Sequence, residues 1–320
     1  MKKEEIIKKF QGKKILVIGD IMLDKYVWGS VERISPEAPV PVLTVSREVY
    51  VPGGAANVAC NIKSLRGNSF MVGIIGNDEA GQKLKSSLKE KGVDTSGVFV
   101  DDTRPTITKI RFVAEKRTQQ LIRIDYESKR LINEKLQKKI IEFVSSCATK
   151  FDAILFEDYD KGMLQKNLIK KLISIFKNKI ITVDPKFDNF FAYEGVTLFK
   201  PNKYELERAV GEKLTHNNIE PICKKVRKQL NCKAVLLTLG KEGMLLVDSV
   251  GAHKIPAKVR EVYDETAAGD AAIAGTTIAL ATNASLIESA GIGNIVAGIE
   301  VSKFGTVPVT YEELLKDIRE

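Results

Sequence analysis

The sequence predicts an α/β protein: a three-layer, doubly wound, mostly parallel sheet with helices on both faces and a small β-sheet lid. Two observations predict the core. Short apolar runs ending in glycine or a polar residue alternate along the chain with helix-like segments, the mark of a sheet covered on both sides. Those runs are apolar throughout rather than at every second residue, as strands buried on both faces must be. The lid follows from a third observation: two stretches break the alternation and carry proline and charge where a central strand could not.

In chain order, "MKKEEIIKKFQGKK" has apolar residues at helical spacing among charges, and no apolar core long enough for a signal peptide. "KKILVIGD" reads as the first buried strand. Residues 25–50, with Val- and Tyr-rich runs split by Pro36, Pro39 and Pro41, supply one part of the lid, and "GGAANVA" then opens a helix. "FMVGIIG" and "EAGQKLKSSLKEKG" resume strand and helix, and residues 105–126 form a charged hairpin that completes the lid. The strands "FDAILFED", "KIITVDP", "VTLFKPN" and "KAVLLTLG" follow, separated by helical segments. The longest uncharged run, Ala271 to Ile287, is interrupted by threonine, asparagine and serine, so it reads as a helix buried in protein rather than a membrane span. No repeat or linker divides the chain, so residues 1–320 are expected to form one domain with the lid inserted in it.

Composition narrows the function classes. The chain is 44% hydrophobic and 28% charged, which suits a globular protein. Lys plus Arg number 50 against 41 for Asp plus Glu, a formal charge of +9. The excess is scattered as single lysines, which favours small anionic ligands over nucleic acid. Cys60, Cys147, Cys223 and Cys232 contain no CxxC pair, so reduced thiols in a cytoplasmic protein are expected rather than a zinc site or disulfides.

Three constellations could carry chemistry. In "TAAGD", Ala267, Ala268 and Gly269 leave amides bare at a helix start, a place for developing phosphate charge. Asp270 beside them reads either as a helix cap or as a proton acceptor for a sugar hydroxyl. In "VPGGAANVA", Gly53 and Gly54 permit close backbone approach, and Asn57 either caps the helix or bonds a polyhydroxylated ligand. "GDIMLD" places Asp20 and Asp24 beyond the first strand, where a carboxylate can accept from sugar hydroxyls or hold a turn. Neither a Walker GxxxxGK[ST] nor a protein-kinase motif set is present.

"GDIMLD", "PGGAANVA", "VDPK", "KPNKYE", "LTLGKEG" and "DETAAGD" occur in the order and approximate spacing of the ribokinase-like sugar kinases of the phosphofructokinase-B type, over nearly the whole chain. The resemblance implies that Asp270 is the general base and that the amides of Ala267, Ala268 and Gly269 form the anion hole. It places Asp24, Asn57, Gly53 and Gly54 at the sugar, with ATP as donor and Mg²⁺ as its ion. Asn202, Thr238, Gly240, Gly243 and Asn294 would line the nucleotide site, and Glu205 would join a Mg²⁺–water network.

"RISPEAPVPV", "PTITKIRF", "QQLIRID", "DYDKG" and "VDPK" resemble more narrowly the kinases that phosphorylate O1 of D-glycero-β-D-manno-heptose 7-phosphate in ADP-heptose synthesis for lipopolysaccharide. Such a substrate needs cations at its distal phosphate, and Lys109, Arg111, Arg123, Lys161 and Lys186 are candidates. Gln120, Asp125, Asp158 and Asp184 are candidate hydroxyl partners, along with Asp20. Some relatives of this type carry a fused nucleotidyltransferase. With no HxGH and only His216 and His253, that activity is expected from a separate protein. A homodimer through the lid is expected, since exposed strand edges need covering. The alternatives are a kinase for another sugar, sugar phosphate or nucleoside, and a non-catalytic sugar-binding protein on the same fold.

Overall fold

The computed structural model describes residues 2–258, 262–263 and 266–320. In chain order the strands are β1 (Lys14–Gly19), β2 (Ile21–Ile34), β3 (Pro41–Gly54), β4 (Asn68–Ile75), β5 (Asp94–Val100), β6 (Thr108–Ala114), β7 (Gln119–Tyr126), β8 (Ala153–Glu157), β9 (Ile180–Asp184), β10 (Leu198–Phe199), β11 (Ala234–Thr238), β12 (Met244–Val247) and β13 (Ala252–Ile255). Nine of them build one sheet in the order β13-β12-β11-β10-β9-β8-β1-β4-β5. It is parallel from β11 to β5, and β12 and β13 add an antiparallel edge hairpin.

The apolar runs are uninterrupted because both sheet faces are covered. Ile15 and Val17 of β1 enter one core, while Leu16 and Ile18 enter the other. Ala153 and Leu155 of β8 are divided from Ile154 and Phe156 in the same way. Where the parallel strands end, polar groups gather at one edge, as an open α/β sheet requires of its ligand site. Glu157 pairs in register with Asp184, and Val183 pairs with Phe199, which sets Asp184 beside Lys200.

The remaining four strands form the lid, ordered β3-β2-β6-β7. Its strands run over 21–54 and 108–126, so the first hairpin is longer than residues 25–50 and carries Gly53 and Gly54 at its end. Register rows across this sheet sort its chemistry. Asp24, Lys109 and Asp125 form one row and Tyr26, Arg111 and Arg123 the next row on the same face. On the other face Lys25, Ile110 and Ile124 align, followed by Val27, Phe112 and Ile122. Ile122, Ile124 and Tyr126 are exposed.

Trp28 of the lid is buried. It packs against Phe304, from the segment after helix Leu286–Glu300, at 5.3 Å between ring centroids, with Arg47 stacked over it. The long uncharged run is two helices, Ala268–Leu280 and Leu286–Glu300, because Asn283 takes a left-handed conformation and Ser285 with Glu288 builds a capping box. The N-terminal helix is short, Lys3–Ile7. Among the described residues no helix is long and apolar enough to cross a membrane, and all four cysteines are free and buried.

Candidate active site

The helix Ala268–Leu280 begins without a side-chain cap: Ala267 stands at its N-cap and makes no such bond. The amides of its first turn are therefore left for a ligand. Gly269 lies beside the charged pair: a β-carbon there would make ordinary contacts of 3.5 Å with the Lys200 ammonium and 3.8 Å with Asp184 Oδ2. Asp270 is not the cap. It sits inside the first turn, and its carboxylate leaves its own helix. Oδ2 accepts from the Asn57 amide at 3.0 Å and Oδ1 from the Tyr159 hydroxyl at 2.8 Å. Burial raises its pKa to about 7, although both hydrogen bonds oppose the shift. An acid so tuned can hold or accept a proton near neutral pH.

Carboxylate oxygens of Glu157, Asp184 and Asp270 lie within 4.8 Å of one another. Burial pushes Glu157 well above the usual range, with Asp184 and Asp270 adding to it. Lys200, itself 2% exposed, pairs with Asp184 at 2.6 Å. Burial pulls the Lys200 pKa down, but Asp184, Glu157 and Glu205 outweigh that effect, so it stays charged. Lys186 pairs with Glu205 at 2.6 Å. One buried oxygen of Glu157 has no partner among the described residues. A buried orphan carboxylate oxygen beside two further carboxylates is a donor set that suits a hard divalent cation.

A cavity of about 1040 Å³ runs from Asp270 past Asp184, Lys186 and Lys200 to Thr238, Gly240 and Gly243. Asn294 lines it and donates to the Pro256 carbonyl. Gly243 has a φ of +90°, and a β-carbon would fall 2.1 Å from the Ile255 carbonyl, so glycine is obligatory at that corner. Asn202 and Glu205 also line the cavity, joined in a reciprocal capping box. With Lys186 on one Glu205 oxygen and the Asn202 amide on the other, Glu205 would reach a cation through water.

On the sugar side, Gly53 is required because a β-carbon would come 2.2 Å from Asp24 Oδ2, and Gly54 has a φ of +56°. Asp24 forms a buried pair with Arg111 at 2.5 Å. Lys109 lies 3.3 Å from Asp125, and Arg123 bonds the same carboxylate at 2.9 Å. Lys161, from the loop after β8, reaches Glu127 beyond β7 at 2.6 Å.

Several expectations need correction. Asp20 is no free sugar ligand: its Oδ2 accepts from the backbone amides of Tyr159 and Lys161. Asp158 is consumed likewise, by Tyr193, Asn189 and the Asp160 amide. Burial lifts the Asp158 pKa to about 6. Lys186 points into the nucleotide-side cavity rather than to the lid cations. Gln120, opposite Val113, is exposed. Glu265, near the anion hole in sequence, lies outside the described residues. Sequence reasoning missed Glu157, Tyr159 and Lys200. The available signal was a buried strand, "AILFE" or "LFK", running directly into a charged residue at the ligand edge.

Residues 12–312 match the pfkB family carbohydrate kinase profile. The bifunctional protein HldE of Helicobacter pylori strain J99 is 39% identical over 305 residues, covering 94% of this chain and 65% of that protein. HldE of Helicobacter hepaticus is 39% identical over 310 residues, 95% of this chain and 64% of that protein. The chain thus spans about two thirds of the length of these relatives. Among solved structures, phosphofructokinase-2 from Escherichia coli superposes with a TM-score of 0.79 at 21% identity, over 97% of this chain and 99% of that one. Arabidopsis thaliana ribokinase complexed with ribose and ATP gives 0.76 at 19% identity, over 97% and 100%. The fold is therefore ribokinase-like.

Proposed function

Because the chain belongs to the pfkB family of carbohydrate kinases, and is a sugar kinase that uses ATP, we propose that its acceptor is a heptose phosphate, D-glycero-β-D-manno-heptose 7-phosphate, phosphorylated at O1. One observation carries this choice. Lys109, Arg123 and Lys161 surround Asp125 and Glu127 where the lid meets the core, a cationic excess suited to a phosphate distant from the reacting hydroxyl. The likeness to HldE relatives supports the same reading.

In this mechanism Asp270 accepts the proton of the anomeric hydroxyl, and that oxygen attacks the γ-phosphorus as the bond to the β,γ-bridging oxygen breaks. The bare amides at the start of helix Ala268–Leu280 bind the developing phosphoryl charge, and Lys200 and Lys186 add positive potential beside them. Glu157 and Asp184, with Glu205 acting through water, are the residues that would hold Mg²⁺, which when bound would neutralise phosphate charge. The lid excludes water that would otherwise take the phosphoryl group.

The test is an acceptor panel with ATP: heptose 7-phosphate, ribose, fructose and fructose phosphates. The heptose phosphate is expected to show the highest kcat/KM. Preference for an unphosphorylated sugar would overturn this acceptor and leave the kinase assignment intact. We also propose that the exposed Ile122, Ile124 and Tyr126 are covered by the lid of a second copy, with sedimentation as the check. The chain is read as one kinase unit of the cytoplasm, where its thiols stay reduced.

A further inference from the structure

The loop that follows β8 is more heavily anchored than its length requires. Two buried carboxylates are spent on it: Asp20 accepts the amides of Tyr159 and Lys161 at 3.0 and 3.1 Å, and Asp158 accepts the Asp160 amide at 2.9 Å. Asp158 is in turn fixed by Tyr193 at 2.6 Å and Asn189 at 3.1 Å. Asp160 takes a left-handed conformation with a φ of +54° and accepts the amides of Phe187 and Asp188. Burying charge for a surface turn alone is unfavourable, so this network must determine the placement of something.

What it places is Tyr159. The ring is half-buried and lines the cavity, Lys186 lies over its face at 5.6 Å, and its hydroxyl donates to Asp270 Oδ1. Asn57 holds Oδ2 from the opposite side, and is itself braced by Asn61, whose Oδ1 accepts the Val309 amide. Each Asp270 oxygen therefore has one fixed donor and one lone pair left for a ligand. We propose that Tyr159 is a positioning residue for phosphoryl transfer: with Asn57 it sets the direction of the Asp270 carboxylate, and Asp20 and Asp158 serve the reaction through it rather than by touching sugar.

This inference rests on Asp270 acting as base, and the experiment separates the two. Single-turnover transfer from ATP·Mg²⁺ is measured with whichever sugar the acceptor panel turns over fastest, for the wild type, Tyr159→Phe, Asp270→Asn and a protein with 3-fluorotyrosine at position 159. Tyr159→Phe is expected to lower the rate about ten- to a hundredfold, with KM for both substrates within about twofold and thermal stability little changed. Fluorotyrosine, which keeps ring and donor, is expected to retain most of the rate. An unchanged Tyr159→Phe rate beside an inactive Asp270→Asn overturns the inference alone, as does a raised sugar KM at unchanged rate, or equal loss in the phenylalanine and fluorotyrosine proteins. A fully active Asp270→Asn removes the base and the inference together.

Discussion

The strand-edge site and the lid both concentrate charge, but they do so in different physical regimes. At the edge, Glu157 and Lys200 are each 2% exposed and Asp270 is 7% exposed; Lys200 pairs with Asp184, and Asp270 is held by Asn57 and Tyr159. Along β7 and just beyond it, the side chains of Arg123 and Glu127 are 48% and 31% exposed, and their ion pairs join groups that water could also solvate, unlike the buried Asp24–Arg111 pair further into the lid. Buried charges are costly to rearrange and hold their geometry, whereas half-exposed pairs exchange partners at little cost. The edge geometry is thus the harder to rearrange, and the outer lid pairs the easier.

The comparison is broken most directly at Asp270. Asp270→Asn keeps shape and size but cannot take a proton, so turnover should fall roughly 10²- to 10⁴-fold, with sugar affinity by calorimetry changed only a few-fold. Near-normal turnover would mean that the edge fixes nothing the reaction needs. The next largest effect is on stability. Lys200→Met leaves Asp184 without its ion-pair partner beside two further carboxylates, and urea unfolding should show a loss of about 3–5 kcal/mol. The matching lid change, Arg123→Met, should stay within about 0.5 kcal/mol. Equal losses would erase the distinction between the regions.

That contrast also explains what the sequence could reveal. Nearly every parallel strand was legible, because a strand buried on two faces leaves an unmistakable apolar run, and "TAAGD" and "PGGAANVA" marked the helix end and the glycine approach. Strand β5, whose apolar run is only Val98–Val100, and the β12–β13 hairpin were not, since short runs carry little pattern of their own. Aspartates were the hardest. Asp20, Asp24, Asp158 and Asp184 all follow or lie near strand ends, yet only tertiary structure decides which carboxylate meets a backbone amide and which faces the cavity. Tyr159 was invisible for the same reason: its partner lies 111 residues away.

A third measurement probes the cost of buried charge. Glu300 is 1% exposed, and neither carboxylate oxygen has a partner among the described residues. Burial lifts its pKa to about 8, with Lys303 opposing only in part. Folded Glu300 therefore keeps its proton while the unfolded chain ionises. Its contribution is fully present below the ordinary value of 4.5 and is lost as pH rises through about 8. Glu300→Gln should match the wild type near pH 4.5 and exceed it by about 4 kcal/mol at pH 8, read from urea midpoints at each pH. A gap that does not widen with pH would show that the carboxylate is solvated.

Lys161 belongs to both regions, and its loss should be felt least. Its backbone amide is held at the strand edge by Asp20, while its ammonium crosses to Glu127 of the lid. If the lid accepts substrate charge, a distal phosphate replaces Glu127 as the partner of that ammonium. Lys161→Ala should then raise KM for the phosphorylated acceptor about tenfold, leave kcat within about twofold, and leave an unphosphorylated sugar unaffected. If instead the pair only latches lid to core, both sugars should suffer equally. Glu127→Gln separates the cases by sign. Freeing Lys161 from its internal partner should lower KM for the phosphorylated sugar if the ammonium binds phosphate, since the ligand no longer has to displace a carboxylate. The same change should raise KM for every acceptor if the ion pair is a latch, because the closed lid would lose its tie to the loop that carries Tyr159.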